Sequence, residues 1–132
     1  MYKIIKRKKI SDSRGWFLKV LDGNEDFLKD EIGEFYVTVA FPKNFKGGHY
    51  HNIANEWFTL ISGNCVLDLY ENKTSKRIQI NLSSVDPVTV FVPPHISHRF
   101  INENDENFIL LAYSDQKYDP KDTIPFDFDE II

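Results

Sequence analysis

Hydrophobic and polar positions alternate residue by residue over much of the chain. In FYVTVAF, residues 35–41, Phe35, Val37, Val39 and Phe41 fall on one face and Tyr36, Thr38 and Ala40 on the other, which is the period of a strand. Runs of the same kind are WFLKV (16–20), EWFTLI (56–61), CVLDLY (65–70), RIQINL (77–82), VTVFV (88–92), HRFI (98–101) and FILLAY (108–113). Between them DGNED, PKNFKGG, SGN, ENKTS, SSVDP, PP and NENDEN are rich in residues that tolerate turn dihedrals. The basic run KIIKRKK (3–9) is broken by Ile4 and Ile5 and reads as a solvated first strand. NEDFLKDE (24–31) is the one short helical pattern. Many short strands at this spacing predict an all-β antiparallel barrel or sandwich, of which the double-sheet jelly roll is the natural candidate.

Composition narrows the setting. With 132 residues the chain makes one domain, 1–132, and 42% hydrophobic with 14% aromatic content excludes a disordered chain. A net charge of -4 argues against a nucleic-acid partner, which would demand a cationic surplus. The single cysteine, Cys65, has no internal partner and sits among apolar neighbours as a packing residue. The absence of a leader and of any apolar run near the ~20 residues of a membrane span gives a cytoplasmic, membrane-free expectation. The segment from Asp115 onward keeps Tyr118, Phe126 and Phe128 among its carboxylates, so it is expected to lie down on the domain.

The chemistry concentrates in GGHYHNIANEWFTLISG, residues 47–63. In an extended strand His49 and His51 share a face, Glu56 opens the next aromatic run, and PPHISHRFIN (93–102) adds His98 and Asn102. Two readings stay open. The imidazoles and the carboxylate form a metal cage, or they are proton carriers with Glu56 orienting one of them. Tyr36 reads equally as a core residue, Arg14 in DSRG equally as a turn salt bridge, and Trp16 and Trp57 as core or subunit interface. His95, after two prolines, reads as an exposed loop residue.

The order H-x-H, Glu56, Gly63, followed by Pro93, His98 and Asn102, resembles the two motifs of the cupin superfamily, small jelly-roll β-barrels. Two glycine positions of that pattern are held by Lys43 and His95. The resemblance implies His49, His51, Glu56 and His98 as ligands when a divalent metal (zinc, iron, nickel or manganese) is bound. More narrowly, KKISDSRGWF (8–17), EFYVTVAFPKNFKGGHYH, SGNC (62–65) and YDPKDTIPFDFDEI (118–131) resemble the nucleotide-sugar 3,4-ketoisomerases. Those enzymes act on dTDP-4-keto-6-deoxyglucose for bacterial O-antigens and S-layer glycans. The dTDP-sugar 3,5-epimerases share the D-x-R-G-x-F opening and the histidine region. The cupin domain of capsule enzymes that epimerise UDP-4-keto sugars shares HYHN, Glu56, PPxxxH and YDP.

The narrower resemblance implies an isomerase of a nucleotide-linked 4-keto-6-deoxyhexose that needs no cofactor and works as a homodimer joined through its first strands. It casts His49 as the base at C3, His51 as the partner delivering a proton at C4, and Tyr36 as a group reaching the same cavity. Arg14 and Lys46 become pyrophosphate contacts, Glu56 and His98 substrate contacts, and Tyr113 the counterpart of the epimerases' acid tyrosine. Chain length favours the ketoisomerase, whereas HYHN and the aromatic after Arg14-Gly15 favour the epimerase. A metal-dependent oxygenase and a non-catalytic sugar-binding cupin are the readings from other classes.

Overall fold

The computed structural model describes residues 2–13, 15–18, 20 and 33–131. Arg14 and the helix expected at 24–31 lie outside them. Two five-stranded antiparallel sheets face each other. One has the order β1-β9-β6-β11-β4, with β1 Lys3–Lys6, β4 Glu34–Ala40, β6 Glu56–Ser62, β9 Val88–Val92 and β11 Phe108–Ser114. The other runs β12-β5-β10-β7-β8, with β5 Phe45–Tyr50, β7 Asn64–Glu71, β8 Lys76–Ser83, β10 Ile96–Ile101 and β12 Ile124–Pro125. A separate hairpin pairs β2, Lys9–Asp12, with β3, Gly15–Leu18. This is the double-sheet jelly roll that the alternating pattern predicts.

Alternation decides what fills the space between the sheets. Phe58 and Leu60 of β6, Leu67 and Leu69 of β7, Phe100 of β10 and Leu110 of β11 form the dry core. Each such side chain contributes roughly 1.5–3 kcal/mol through burial. Toward one end, the same inward rows become polar, with Tyr36 of β4, Glu56 of β6, His98 of β10 and Ser114 of β11. The intervening residues point out of the barrel. Trp57, Phe91 and Tyr113 are buried together in a second cluster, with Phe35 stacked on Tyr113 at 4.5 Å between ring centres.

Three sequence expectations meet the structure here. The stretch FKGG is not a turn but most of β5, and its glycines take φ of +91° at Gly47 and +87° at Gly48. A Cβ on Gly47 would stand 2.8 Å from the His98 carbonyl, so glycine is what lets β5 approach β10 at the irregularity beside His98. On β4 the apolar row of Phe35, Val37 and Val39 faces outward, while Tyr36 and Thr38 face in. Cys65 is core, and burial pushes its thiol up to about 12, as a packing residue requires.

The C-terminal segment lies against the barrel as its aromatic content predicts. Asp119 caps a 3₁₀ turn at Pro120–Asp122, β12 pairs with β5, and Phe128 is fully buried. Arg77 and Arg99 both reach Asp68, at 2.6 and 3.1 Å, and Arg99 continues to Asp129 at 3.2 Å, tying this segment to β7, β8 and β10.

Candidate active site

Four strands bring the polar inward residues to one point. Glu56 is the first residue of β6, buried because Phe58 and Leu60 commit that face to the interior. His49 on β5 stands in register opposite His98 on β10, and His51 follows just past the end of β5. Ring centres lie 5.0 Å apart for His49 and His51, and 4.9 Å apart for His49 and His98. The Oε1 atom of Glu56 is 2.8 Å from His51 Nε2 and 3.3 Å from His98 Nε2, and the Tyr36 hydroxyl donates to Oε2 at 3.3 Å.

Backbone carbonyls aim two of the rings. His51 Nδ1 lies 2.7 Å from the Asp122 carbonyl, and His98 Nδ1 lies 3.2 Å from that of Ile96. A carbonyl only accepts, so both rings carry hydrogen on Nδ1 and turn Nε2 toward Glu56. Oε1 and both Nε2 atoms are buried together, and the carboxylate attracts each ring most strongly when that ring is charged.

The environment separates the titrating groups. Burial pulls His49 down, the neighbouring His98 and His51 add to it, and the result, about 4, leaves the ring neutral at pH 7. Burial also acts to lower His51, but Glu56 and the Asp122 carbonyl overcome it and raise the ring above its ordinary value. For Glu56, burial acts upward and is outweighed by the two imidazoles beside it, so the carboxylate stays ionised well below its usual range. Burial and the Glu56 charge push the Tyr36 phenol far up, so it remains protonated. Neighbouring groups driven apart in this way are suited to opposite proton-transfer roles.

His49, His51, Glu56 and Tyr36 line a cavity of about 220 Å³. Its opposite wall includes Lys117, Tyr118 and Asp122 of the C-terminal segment. A second cavity of about 140 Å³ shares Tyr36 and His49 and carries Lys46. The first is smaller than the roughly 300–1,000 Å³ that enclose a whole drug-sized ligand. Of the residues the sequence nominates, His49, His51, Glu56, His98 and Tyr36 come together, and Lys46 lies in the adjoining chamber. Tyr113 does not. Strand alternation sends it outward to Trp57 and Phe91 while its neighbour Ser114 lines the cavity, which corrects its assignment as a substrate contact.

Residues 10–125 match the polysaccharide biosynthesis C-terminal domain family. The chain belongs to that family. Within polysaccharide biosynthesis, it is 24% identical over 139 positions to the spore coat protein SpsL of Bacillus subtilis, covering 98% of this chain and 91% of that protein. A dTDP sugar isomerase from Desulfovibrio desulfuricans superposes with a TM-score of 0.88 at 16% identity, covering 98% of this chain and 85% of the other. QdtA, a sugar 3,4-ketoisomerase from Thermoanaerobacterium thermosaccharolyticum solved with TDP, gives 0.78 at 22% identity, covering 97% and 89%. These two likenesses are of fold.

The residues of this family member also fit a divalent cation. Donor atoms of His49, His51, Glu56 and His98 all lie within 4.8 Å of one another. Two of the imidazoles are held through Nδ1 by carbonyls, the orientation that metal-ligating histidines need. Sequence reading missed Asp122 and the cavity wall at Lys117 and Tyr118. DPKD stands within the YDPKDTIPFDFDEI stretch, but only the pairing of β12 with β5 brings Asp122 beside His51.

Proposed function

We propose that this protein isomerises a nucleotide-linked 4-keto-6-deoxyhexose for bacterial surface-polysaccharide synthesis, as a dTDP-sugar 3,4-ketoisomerase working by proton transfer. The observation that carries the reading is the convergence of His49, His51, Glu56 and Tyr36 on one cavity, with His49 unbonded to the carboxylate that engages His51. Membership in a polysaccharide biosynthesis family and the fold shared with sugar isomerases support it. The cytoplasm and a homodimeric state belong to the same proposal. Arg14 and Lys46 are its pyrophosphate contacts.

A ketone at C4 acidifies the C3 proton. Neutral His49 takes that proton, the C3–H electrons form the C3=C4 double bond, and the carbonyl electrons move to O4. His51, drawn toward imidazolium by Glu56, stabilises the enediolate and supplies a proton to C4, while the O3 proton passes to O4. The ketone then stands at C3. A positioned base of this kind contributes ~10²- to 10⁴-fold. Return of the proton to C3 from the opposite face would instead be epimerisation.

A second reading is favoured by the convergence of the buried Oε1 and Nε2 atoms with His49. In it His49, His51, Glu56 and His98 hold a divalent ion. Such an ion supplies Lewis-acid polarisation of substrate oxygens. Tyr36, held protonated beside Glu56, is then placed to donate a proton.

Proton NMR of the protein with dTDP-4-keto-6-deoxyglucose in deuterium oxide tests the first reading. A 3-keto product, lost in His49→Asn, supports it. Deuterium at C3 with an inverted centre and no ketone migration assigns the epimerase. If neither appears with the dTDP sugar or a UDP-linked analogue, the isomerase reading falls. Elemental analysis of the same sample and activity after chelation then decide the metal.

A further inference from the structure

One residue outside the histidine motifs, Asp122, touches His51 through its carbonyl. We propose that Asp122 is a positioning residue that fixes the tautomer and aim of His51 and couples them to the C-terminal wall of the cavity. The functional part of this inference rests on the isomerase reading.

The chain prepares the contact locally. Asp119 accepts from the Lys121 amide at 2.9 Å and its carbonyl from the Asp122 amide at 3.0 Å, closing the turn that Pro120 begins. Pairing of Ile124 with Tyr50 and of Pro125 with His49 then sets Asp122 beside the residues that follow β5. There its Oδ1 accepts from the amides of Asn52 and Ile53 at 2.7 and 3.1 Å, and Oδ2 accepts from Ala54 at 3.2 Å. Its own carbonyl accepts from His51 Nδ1 at 2.7 Å.

Four consecutive residues, 51–54, thus rest on a single buried aspartate. The three amide bonds are charge-assisted and hold its backbone in place, so the carbonyl that orders His51 has little freedom to turn away. Asp115 fastens the far end of the same loop, accepting from the Asn55 amide and side chain, each at 2.9 Å, without touching His51. Two carboxylates clamp the loop, and only one of them also reaches a histidine of the site.

The test is ¹⁵N NMR of selectively labelled histidine in the full chain, comparing Asp122→Ala and Asp115→Ala, together with kinetics on the dTDP-4-keto sugar. In wild type, once His51 is neutral, its Nδ1 carries the proton. Asp122→Ala should show a mixture of His51 tautomers and lose ~10²-fold in kcat with a much smaller change in KM. Asp115→Ala should retain the single tautomer. A folded Asp122→Ala in which His51 keeps one Nδ1–H tautomer overturns the proposal. Should Asp122→Ala fail to fold, Asp122→Asn, which keeps one acceptor oxygen, decides by the same spectrum. A wild-type protein that does not turn over the sugar removes the isomerase reading, while the tautomer comparison still decides the role of Asp122.

Discussion

His49 and His51 are separated by one residue and titrate in opposite directions: burial and two neighbouring imidazoles outweigh Glu56 at His49, whereas at His51 the contact with Glu56 and the Asp122 carbonyl outweigh burial. A mechanism needing neutral His49 and charged His51 has a definite pH dependence. Activity fails as pH falls through the His49 value, about 4, and as pH rises through that of His51, which lies above the usual ~6.5. Glu56→Gln removes the group that raises His51, so the alkaline limb of a pH–rate profile should move to lower pH and the acid limb should persist. His49→Asn should lose ~10²- to 10⁴-fold in kcat across the range, measured by product NMR. Two other residues explain how the cupin pattern survives without its glycines. Lys43 and His95 occupy those positions with φ of +65° and +71°, the left-handed region that glycine enters without a steric penalty. His95→Gly should raise stability by about 0.5–1 kcal/mol in urea titration, relief of the left-handed cost less the extra freedom of the unfolded glycine. The bond from the His95 amide to the His51 carbonyl, 2.7 Å, is main chain and would remain.

At the scale of the element, alternation made β4, β6, β7, β8, β9, β10 and β11 legible, because a half-buried strand writes its two faces into the sequence. The pairing of β5 was hidden by its glycines, which report a close approach to β10 that no single strand reveals. His49 and His51 were legible from their shared strand face, and Glu56 and His98 joined them through the cupin resemblance. Tyr113 was misplaced by one residue, and in a strand one residue is the opposite face. Asp122 was not legible, since its partners lie about seventy positions upstream. Long-range pairing also governs the ion network on the outer face of β7. Burial acts to raise the Asp68 carboxyl, but Arg77 and Arg99 outweigh it and hold its pKa below the ordinary value. Its contribution to stability is therefore present above the usual ~3.9 and is lost as pH falls through the depressed value. Asp68→Asn should cost on the order of 3 kcal/mol at neutral pH and flatten the acid side of the stability curve, read by denaturant unfolding at several pH values.

At the scale of the whole molecule, one face is unusually apolar for a surface. Phe35 and Val37 on β4, the edge strand of its sheet, and Phe41 just past its end are 62%, 59% and 66% exposed. A row of this kind marks a contact between proteins, and a second copy of the chain is the occupant that the proposed homodimer supplies. The first-strand interface expected from the resemblance would then extend to β4. Val37→Lys should convert the proposed dimer to monomer in analytical ultracentrifugation and leave the barrel folded by circular dichroism.

The pinning of the C-terminal segment onto β5 has a consequence for how the protein is made. The barrel strands β4 to β11 are complete by Ser114, whereas one wall of the cavity and the carbonyl that aims His51 come from residues that follow it. A ribosome therefore delivers the scaffold first and the finished pocket afterwards. Until Asp122 has emerged and found the loop after β5, a growing chain has its histidines but lacks the contact that sets one of them.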